Sequence, residues 1–400
     1  MIIHQPETTL QNSEICISSR IEISKPVTNL PDRLWFRFPE SCSAFLVDHS
    51  NGFAASLALL AMYLEEPLEV RGVVSPRLAY GLLEWQKVFH LWMPGQFHLT
   101  DLKFERFQAL QKGEVQEKVG CAFSGGVDSL FTVWSHLPQN QPVRSAQITH
   151  GLFIQGFDIS LHQGERFLAL YERYMQAFTE LGLELLPART NVLDFYRFRV
   201  GWEIAHGGPL IGIAQVFGGL FGRFYVPSTY SYLACKPQGT TPVTDHWLST
   251  ETLEVVHHGA AKRRIEKYKA LGDWPVAHQL LRVCTTTKPS EQTAFNCCRC
   301  GKCMRDMIML EVLGFLPRFV TFREPFGYRS IFRLFIFHPP PYFTDELYRE
   351  AFAARKVGIA ILVFLLNRWI AIRNFLRARF FSLMSKDVLY RLKRRIYDHG

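Results

Sequence analysis

Apolar and polar positions alternate with two different periods along the middle of the chain. The short apolar runs predict buried strands, at residues 119–123, 144–153, 183–191 and 222–227. The longer amphipathic runs between them predict helices, at residues 130–136, 164–181 and 206–221. Because strands that are separated by helices form parallel sheets, we expect an α/β domain with a doubly wound parallel sheet over residues 116–283.

The first 115 residues have a mixed pattern, which predicts a separate N-terminal α+β domain. Strands are predicted at residues 18–24, 34–38 and 68–74. An apolar run predicts a helix over residues 52–65, and Ser75 with Pro76 supplies the N-cap and first residue of another. The polar stretch 111–118 predicts a linker. We find no combination of residues in this segment that indicates catalysis.

Composition restricts the class of protein. Of the 400 residues, 48% are hydrophobic and 20% are charged, which is ordinary for a folded soluble chain. The first residues have neither a basic start nor a sustained apolar core, so we predict a cytoplasmic protein without a signal peptide. Nine cysteines are an odd number, and four of them lie between Cys297 and Cys303. This pattern favours metal binding over disulfide bonds.

The net charge of +9 is concentrated at the C-terminus. Residues 351–400 contain eleven lysines and arginines and two aspartates, and 11 − 2 = 9, so the rest of the chain balances. Within this segment, the uncharged run 357–366 is shorter than the about 20 residues that cross a bilayer. We therefore predict a basic, aromatic-rich helical region over residues 321–400 that does not span a membrane.

Three uses of residues 355–400 remain open. The segment can pack on the body as a helix with a solvated basic end, lie peripherally at a membrane surface, or bind an RNA backbone. Its arginines and lysine are interleaved with aromatic residues, at Arg373, Phe375, Arg377, Arg379, Phe380, Phe381, Tyr390 and residues 391–395.

A glycine-containing loop follows the first strand of the parallel sheet. Ser124, Gly125 and Gly126 can bring backbone N–H groups against a phosphate, because glycine tolerates close approach and unusual backbone angles. Asp128 and Ser129 then lie at a helix N-terminus, where the helix dipole favours an anion. The loop therefore predicts a phosphate site. The alternative is a polar N-cap that follows a buried strand.

Residues 124–129, Ser-Gly-Gly-Val-Asp-Ser, match all six positions of the SGGxDS loop and so resemble the PP-loop ATP pyrophosphatase family. This resemblance implies a HUP-type sheet and cleavage of ATP between its α- and β-phosphates. It also implies that the loop binds ATP, that Ser124 and Asp128 are catalytic, and that Asp128 meets Mg²⁺. The implied ATP-binding residues of the loop are Ser124, Gly125, Gly126, Val127, Asp128 and Ser129.

The late cysteines have the spacing of a metal-binding knuckle. Cys297, Cys300 and Cys303 are each three residues apart, and Cys284 lies thirteen residues upstream. Tetrahedral zinc is commonly bound by four thiolates of this kind, which makes residues 284–320 a predicted zinc segment with four cysteine ligands and with Cys298 as a spare thiol. An iron–sulfur cluster and a redox or disulfide use of the cysteines remain open.

The loop and the cysteines together resemble the 7-cyano-7-deazaguanine synthases among PP-loop enzymes. Cys284, Cys297, Cys300, Cys303 and Arg305 occur in the same order, although the spacing from the first cysteine is longer here. The resemblance covers about residues 119–314. It implies ATP-dependent adenylation of a carboxylate or carbonyl oxygen on a small acceptor, followed by nitrogen or sulfur transfer. The sequence contains no glutaminase domain, so ammonia would be free or delivered by a partner.

Further candidates lie between these motifs. Lys262 and Arg263 are predicted within a helix that could direct them toward the polyphosphate, Lys262 as a catalytic residue and Arg263 as a cofactor-binding one. The alternative is an exposed basic helix face. Asp245 and Glu251 are candidates for binding magnesium or substrate, and Asp245 is also a candidate catalytic residue. His150 is predicted at a carboxyl end of the sheet and to bind the cofactor. The remaining candidates, at strand ends, helix ends or the long connection after the fourth strand, are Asp158, Thr190, His206, Ser228, Thr229, Tyr230 and His246.

Two other functions remain compatible with the sequence. One is a tRNA-modifying PP-loop enzyme, of a thiolation or lysidine-forming type, that would use the basic segment to hold RNA. The other is an ATP-binding regulatory module without turnover, in which the cysteines only stabilise the fold. The acceptor, the choice between nitrogen and sulfur, and the oligomeric state stay open.

Overall fold

The alternating runs of the sequence form strands in a computed structural model of the chain, which describes residues 1–111, 113, 115–285, 295–328, 331, 332, 334, 335 and 341–383. The chain divides into two compact units, Met1–Arg263 and Arg264–Gly400. In the described part of the first unit, eleven strands form one sheet. They are β1 (Ile2–Ile3), β2 (Glu7–Gln11), β3 (Glu14–Glu22), β4 (Arg33–Pro39), β5 (Leu68–Val74), β6 (Leu102–Phe107), β7 (Lys118–Ala122), β8 (His150–Gln155), β9 (Glu184–Thr190), β10 (Phe221–Pro227) and β11 (Glu254–His258).

The strand order places β7 at the point where the chain changes direction across the sheet. The order is β11-β10-β7-β8-β9-β4-β3-β1-β5-β6, with β2 paired to β3. From β11 to β9 all neighbours are parallel. The chain moves from β7 through β8 to β9, then returns to place β10 on the other side of β7. The predicted α/β class with a mostly parallel sheet is thus confirmed.

The N-terminal strands continue this sheet. β4 pairs antiparallel with β9, and the paired residues are Phe36 with Thr190 and Arg37 with Arg189. The boundary predicted near residue 115 therefore falls between two strands of one sheet and inside one compact unit. The physical reason is the alternation in β4, which buries every second side chain in the shared core and leaves a backbone edge that β9 satisfies.

Helices cover the sheet at several places in the first unit. They are α1 (Asn51–Leu64), α2 (Pro76–Trp92), α3 (Val127–Ser135), α4 (Gly164–Glu180), α5 (Val192–Tyr196), α6 (Trp202–Ala205) and α7 (Gly207–Val216). The predicted N-cap of α2 is confirmed, because the Ser75 hydroxyl accepts a hydrogen bond from the Leu78 amide at 3.0 Å. The helix predicted over residues 206–221 ends at Val216, because β10 already begins at Phe221.

Glycines allow α1 and α7 to approach closely. A Cβ atom on Gly212 would lie 2.5 Å from the carbonyl oxygen of Gly52, and a Cβ on Gly52 would lie equally close to the carbonyl oxygen of Gly212. Real Cβ contacts are not this short, so these two positions accept only glycine at the observed helix distance. This contact packs a helix from the N-terminal segment directly on a helix of the parallel-sheet segment.

The second unit is helical in its described residues. It contains α8 (Arg264–Leu271), α9 (Pro275–Leu280), α10 (Gly301–Val312), α11 (Pro341–Ala353) and α12 (Val357–Leu383). α11 and α12 pack side by side, with Leu347 and Ala351 buried on the first and Val363 and Leu366 buried on the second. The predicted basic residues 391–395 and Tyr390 lie outside the described residues.

The length of α12 corrects the prediction that this segment is too short to cross a membrane. The stretch Val357–Leu376 has 20 residues and a mean hydropathy of 1.6, so by length and composition alone it is sufficient to cross. The sequence prediction counted only the uncharged run 357–366. The helix continues through Asn367 and Arg368 into a second apolar segment.

We expect Gly212→Ala to reduce the free energy of unfolding by about 1–3 kcal/mol, because the added methyl group must separate α1 from α7. Urea denaturation of the purified protein measures this loss. Gly164→Ala is the matched control, since a Cβ there meets no atom within 4 Å, and it should leave stability unchanged or slightly raised. Equal stability of both variants would contradict the close helix contact.

Candidate functional site

The glycine-containing loop connects β7 to α3. The Phe123 amide donates to the Leu152 carbonyl at 2.9 Å, which anchors the end of β7 to β8. The Ser129 hydroxyl donates to the Gly126 carbonyl at 3.0 Å, and the Gly126 amide donates to the Ser124 hydroxyl at 3.3 Å. The predicted strand, loop and helix are therefore present, and the loop closes on the first turn of α3.

Position 125 requires glycine, because of its backbone conformation and because Tyr174 lies close to it. Its φ angle is +75°, a left-handed conformation that glycine adopts without strain. A Cβ atom there would lie 2.1 Å from the hydroxyl oxygen of Tyr174, which is buried on α4. Tyr174 also packs against Phe123 with a ring separation of 5.1 Å. The backbone of the loop is thus positioned by β7 and by α4 together.

The loop lies where an open parallel sheet binds its ligands. α3 has nine residues and begins at the carboxyl end of β7, between two neighbours that the chain reaches in opposite directions. Crevices at such points bind ligands in α/β folds, and a helix N-terminus attracts anions. Asp128 is half-buried in the first turn of α3. Thr190 ends β9 at the same edge, and Ser228 follows β10 there.

His150 does not lie at this edge, so its predicted position was wrong. It is the first residue of β8, opposite Gly120 and Glu184, and the carboxyl end of β8 is Gln155. A short 3-10 turn occupies residues 144–146, so the strand begins and ends later than the apolar run suggested. The His150 Nδ1 atom contacts the Thr149 hydroxyl at 2.8 Å, and burial lowers the pKa of the imidazole.

Glu251 also lies away from the loop. Its carboxylate accepts hydrogen bonds from the Ser75 hydroxyl at 2.7 Å and from the Arg77 amide at 2.8 Å, at the start of α2. Since it precedes β11, it belongs to the amino end of the strands. Its observed role is to complement the N-terminus of α2, and the prediction of a magnesium or substrate contact near the loop was wrong.

Asp245 is buried and orients a histidine that the sequence analysis did not single out. Its Oδ2 atom is 2.8 Å from Nδ1 of His257, and its Oδ1 atom accepts the Thr241 amide at 2.9 Å. His257 lies near the carboxyl end of β11 and lines a small pocket with Ser228 and Lys236. Both carboxylate oxygens of Asp245 are thus engaged by protein groups. Its catalytic role stays a prediction.

Lys262 and Arg263 follow the carboxyl end of β11. They precede α8, which begins at Arg264, instead of lying within a helix. The Lys262 side chain is exposed, and its amide donates to the Gly259 carbonyl at 3.2 Å. Both cations therefore belong to the same edge of the sheet as the loop, which is the placement that their predicted role requires.

His206 precedes α7, and Asp158 follows β8, so both also belong to the carboxyl side of the parallel strands. The His206 Nδ1 atom is 3.0 Å from the Trp202 carbonyl oxygen. Burial lowers the pKa of this imidazole, while Asp245 and Asp158 act in the opposite direction. His206 therefore lies close enough to both carboxylates to interact electrostatically.

Two basic residues near this edge, the half-buried His258 and the buried Arg166, had no clear sequence signal. His258 ends β11 and contacts the Thr132 hydroxyl of α3 at 3.0 Å through Nδ1. Arg166 is buried in the first turn of α4, just after the carboxyl end of β8. Strand alternation could have separated His258 from His257, because successive side chains of a strand point to opposite faces. Nothing in the sequence around Arg166 indicates its burial.

In the second unit, four cysteine thiols are placed to bind a metal ion such as zinc. The sulfur atoms of Cys284, Cys297, Cys300 and Cys303 all lie within 4.8 Å of one another. Cys297 and Cys303 are 3.8 Å apart, and Cys284 and Cys300 are 4.0 Å apart. A tetrahedral zinc ion with bonds of about 2.3 Å sets its sulfur ligands about 3.8 Å apart. The observed spacings fit a single ion.

The knuckle is built by a tight turn that continues into α10. The Cys300 amide donates to the Cys297 sulfur at 3.3 Å, and the Cys303 amide donates to the Cys300 sulfur at 3.5 Å. The hydrogen bond from the Cys303 thiol lowers the pKa of Cys297 to about 6, while the neighbouring thiols raise the pKa of Cys303. Metal binding at this cluster must therefore release protons.

Asn296 joins the two parts of the cysteine cluster. Its Oδ1 atom accepts the amides of Val283 at 2.9 Å and Cys284 at 3.3 Å, while its Nδ2 atom donates to the Leu281 carbonyl at 2.8 Å. Cys298 is buried with its sulfur 3.7 Å from the Asn296 carbonyl oxygen. It is not a member of the metal cluster.

Arg305 takes part in a buried ion pair behind the knuckle. Asp306 accepts hydrogen bonds from Arg264 Nε at 3.0 Å and from Arg305 Nε at 3.2 Å. Burial alone would raise the pKa of Asp306, but the two guanidinium groups hold it at about 2. This interaction connects α8 to α10 and leaves Arg305 committed to a structural contact.

The chain was compared with known protein families, proteins and structures. No protein-family model, no curated protein and no solved structure matches the chain.

We expect the purified protein to contain one zinc ion per chain, measured by elemental analysis. Cys300→Ser should lose the ion and about 3 kcal/mol or more of unfolding free energy, because metal binding stabilises only the folded state. Cys298→Ser is the matched control and should retain zinc. Iron with inorganic sulfide, seen as a visible charge-transfer absorption, would show that the iron–sulfur interpretation is correct instead.

Asp306→Asn should lower the free energy of unfolding at neutral pH by about 3–5 kcal/mol, because Arg264 would be left buried beside a neutral group. Since the folded-state pKa of about 2 is below the ordinary value of 3.8, the wild-type stabilisation is present above about pH 4 and lost as the pH falls through 2. Denaturation at several pH values measures both effects. Asp101→Asn, at an exposed position, should change neither, and an unchanged Asp306→Asn protein would refute the assignment.

Proposed function

We propose that the protein is an ATP pyrophosphatase of the PP-loop type that adenylates an acceptor oxygen and releases pyrophosphate. The observation that carries this proposal is the loop 124–129, with all six motif residues, folded between β7 and the N-terminus of α3. Its left-handed Gly125 and the hydrogen bonds that join Ser124, Gly126 and Ser129 fold the loop onto the first turn of α3, at a helix N-terminus. This is the environment in which a triphosphate binds.

The chemistry follows from what this edge of the sheet offers. Loop amides and the dipole of α3 hold the pyrophosphate part of ATP, and Lys262 adds a positive charge at the same edge. Asp128 is the residue that would hold Mg²⁺, which offsets negative charge on the phosphates when bound. The carboxylate or carbonyl oxygen of the acceptor forms a bond to the α-phosphorus while the bond to the β-phosphate oxygen breaks.

The second step transfers nitrogen or sulfur. Ammonia or sulfide attacks the activated carbon of the adenylate, and AMP leaves with the electron pair of the broken carbon–oxygen bond. We assign the acceptor to the carboxyl edge of the sheet beside β10 and β11. His257 is oriented there by Asp245, and Ser228 and Lys236 line the same space. These groups can donate and accept hydrogen bonds around a small polar molecule.

We assign the cysteine cluster to structural zinc. Four thiolates leave no open position on a tetrahedral ion, which is typical of zinc sites that stabilise a fold. An iron–sulfur cluster places several metal atoms between its ligands and so holds their sulfurs further apart than the spacing of 3.8–4.0 Å in the two measured pairs. The spacing therefore favours a single ion.

A second candidate function is tRNA modification with the same adenylating loop. The basic excess of residues 351–400 favours it, since an RNA backbone is bound mainly through lysine and arginine. In that case the acceptor is a base carbonyl of the tRNA. An ATP-binding module without turnover would differ from both enzymes by releasing no pyrophosphate.

We expect Asp128→Ala to reduce pyrophosphate release by at least about 100-fold, because the magnesium contact and the charge at the phosphates are lost. The measurement is pyrophosphate release across panels of small carboxylates, carbonyl compounds and tRNA, with ammonia or sulfide present. Ser124→Ala should have a similar effect. Asp48→Ala, at an exposed position, is the control. A fully active Asp128→Ala protein would refute the assignment, and activity only with tRNA would select the second candidate.

A further inference from the structure

The helix α12 has two apolar faces, and among the described residues only one of them is covered by protein. Ile359, Val363, Leu366 and Ile370 are buried on the side that packs beside α11. The opposite side carries large apolar residues that are exposed. They are Val357, Ile361, Phe364, Leu365, Trp369, Ile372, Phe375 and Leu376, with exposed fractions between 41% and 62%.

These exposed residues form one continuous stripe, the apolar stripe of α12. Steps of three or four residues from Val357 through Ile361, Leu365, Trp369 and Ile372 keep side chains on one side of a helix. The stripe is about 28 Å long at 1.5 Å per residue. Soluble monomers rarely expose continuous apolar surfaces of this size, and such surfaces generally mark a contact with a partner.

We propose that the apolar stripe of α12 binds the surface of an anionic lipid bilayer, with the helix parallel to the membrane plane. The positive charge of this segment is the reason for proposing anionic lipids. α12 contains four arginines and no acidic residue, and residues 351–400 as a whole carry a net charge of +9. Apolar side chains that are interspersed with arginine and tryptophan match the boundary between acyl chains and negatively charged headgroups.

The position of Arg368 indicates that α12 lies on the membrane surface and does not cross the bilayer. It is exposed near the centre of the stripe, and its guanidinium is 5.0 Å from the ring centroid of Phe364. In a spanning helix this charge would be close to the bilayer centre, which is costly. Spanning would also strip Val363 and Leu366 from their contacts with α11. In a helix that lies at the interface, the guanidinium reaches the headgroups while its stem stays on apolar surface.

The same residue argues against protein or RNA as the occupant of the stripe. If a second copy of the chain covered the stripe symmetrically, two Arg368 cations would be removed from water near each other without a carboxylate on this helix. An RNA backbone would use the arginines but would leave eight large apolar side chains uncovered. A lipid surface accounts for both the apolar residues and the charge.

The test is sedimentation of the full-length protein with phosphatidylcholine vesicles, prepared with and without phosphatidylglycerol. We expect stronger binding to the vesicles that contain phosphatidylglycerol, and release of the bound protein by alkaline carbonate. The combined variant Ile361→Ser, Leu365→Ser, Ile372→Ser should lose about ten-fold or more in binding, because three apolar side chains no longer enter the interface. Thermal unfolding should be unchanged, since all three positions are exposed.

A matched control has the same number of substitutions at exposed leucines of the first unit. Leu91→Ser, Leu99→Ser, Leu233→Ser changes side chains that are 77%, 53% and 88% exposed, and it should bind vesicles like the wild type. Arg368→Glu should weaken binding to phosphatidylglycerol vesicles by roughly ten-fold and leave the weaker binding to phosphatidylcholine alone unchanged.

Four outcomes would overturn the proposal. They are absence of vesicle binding, equal binding by the stripe variant and the wild type, resistance of the bound protein to carbonate, and self-association that the stripe variant abolishes. The third would show a spanning helix and the fourth a second copy as the occupant. Retention on RNA without vesicle binding would likewise assign the basic segment to nucleic acid. None of these outcomes depends on the adenylation chemistry.

Discussion

The parallel pairing of β7 with β10 on one side and β8 on the other is the constraint on which the candidate site depends. Because the chain leaves β7 toward β8 and reaches β10 only later, no crossover connection covers the carboxyl end of β7 from both sides. The loop to α3 occupies this opening. Tyr174 of α4 lies against the loop and leaves no room for a side chain at Gly125, which has a left-handed conformation. The position of the loop is therefore a consequence of strand order as much as of its six residues.

The N-terminal segment belongs to the same construction. Its strand β4 covers the edge of β9, and its helix α1 packs on α7 through Gly52 and Gly212. Both contacts bring residues more than 100 positions apart into one core. The elements that present Thr190 and the start of α7 at the carboxyl edge are thus supported by residues 1–115, which gives that segment a structural role in the site although it contributes no candidate catalytic group.

Local signals in the sequence were sufficient to predict the loop, the Ser75 cap, β5 and the cysteine knuckle of residues 297–303. Each of these features depends on residues within a few positions of one another. Positions that depend on distant partners could not be predicted in this way. No local feature of the β4 sequence indicates that this strand pairs with β9. His150 was misplaced because an apolar run does not show where pairing begins, and Glu251 because its partners lie on α2, 174 and 176 residues away. The buried Asp245–His257 pair joins a turn to a strand, and no local sequence pattern predicts this contact.

The cysteine cluster and the glycine-containing loop differ in whether they leave room for a substrate, and this difference bears on function. At the cysteine cluster, four thiols are placed so that they could complete the coordination of one ion, and the buried Asp306 ion pair and Asn296 fix the surrounding backbone. A closed site of this kind stabilises structure and has no position for a substrate. At the loop, by contrast, Asp128 lies in the first turn of α3, and the exposed Lys262 follows β11 at the same carboxyl edge of the sheet. The chemistry that we propose therefore belongs to the first unit, and a metal ion at the cysteine cluster would stabilise the second unit.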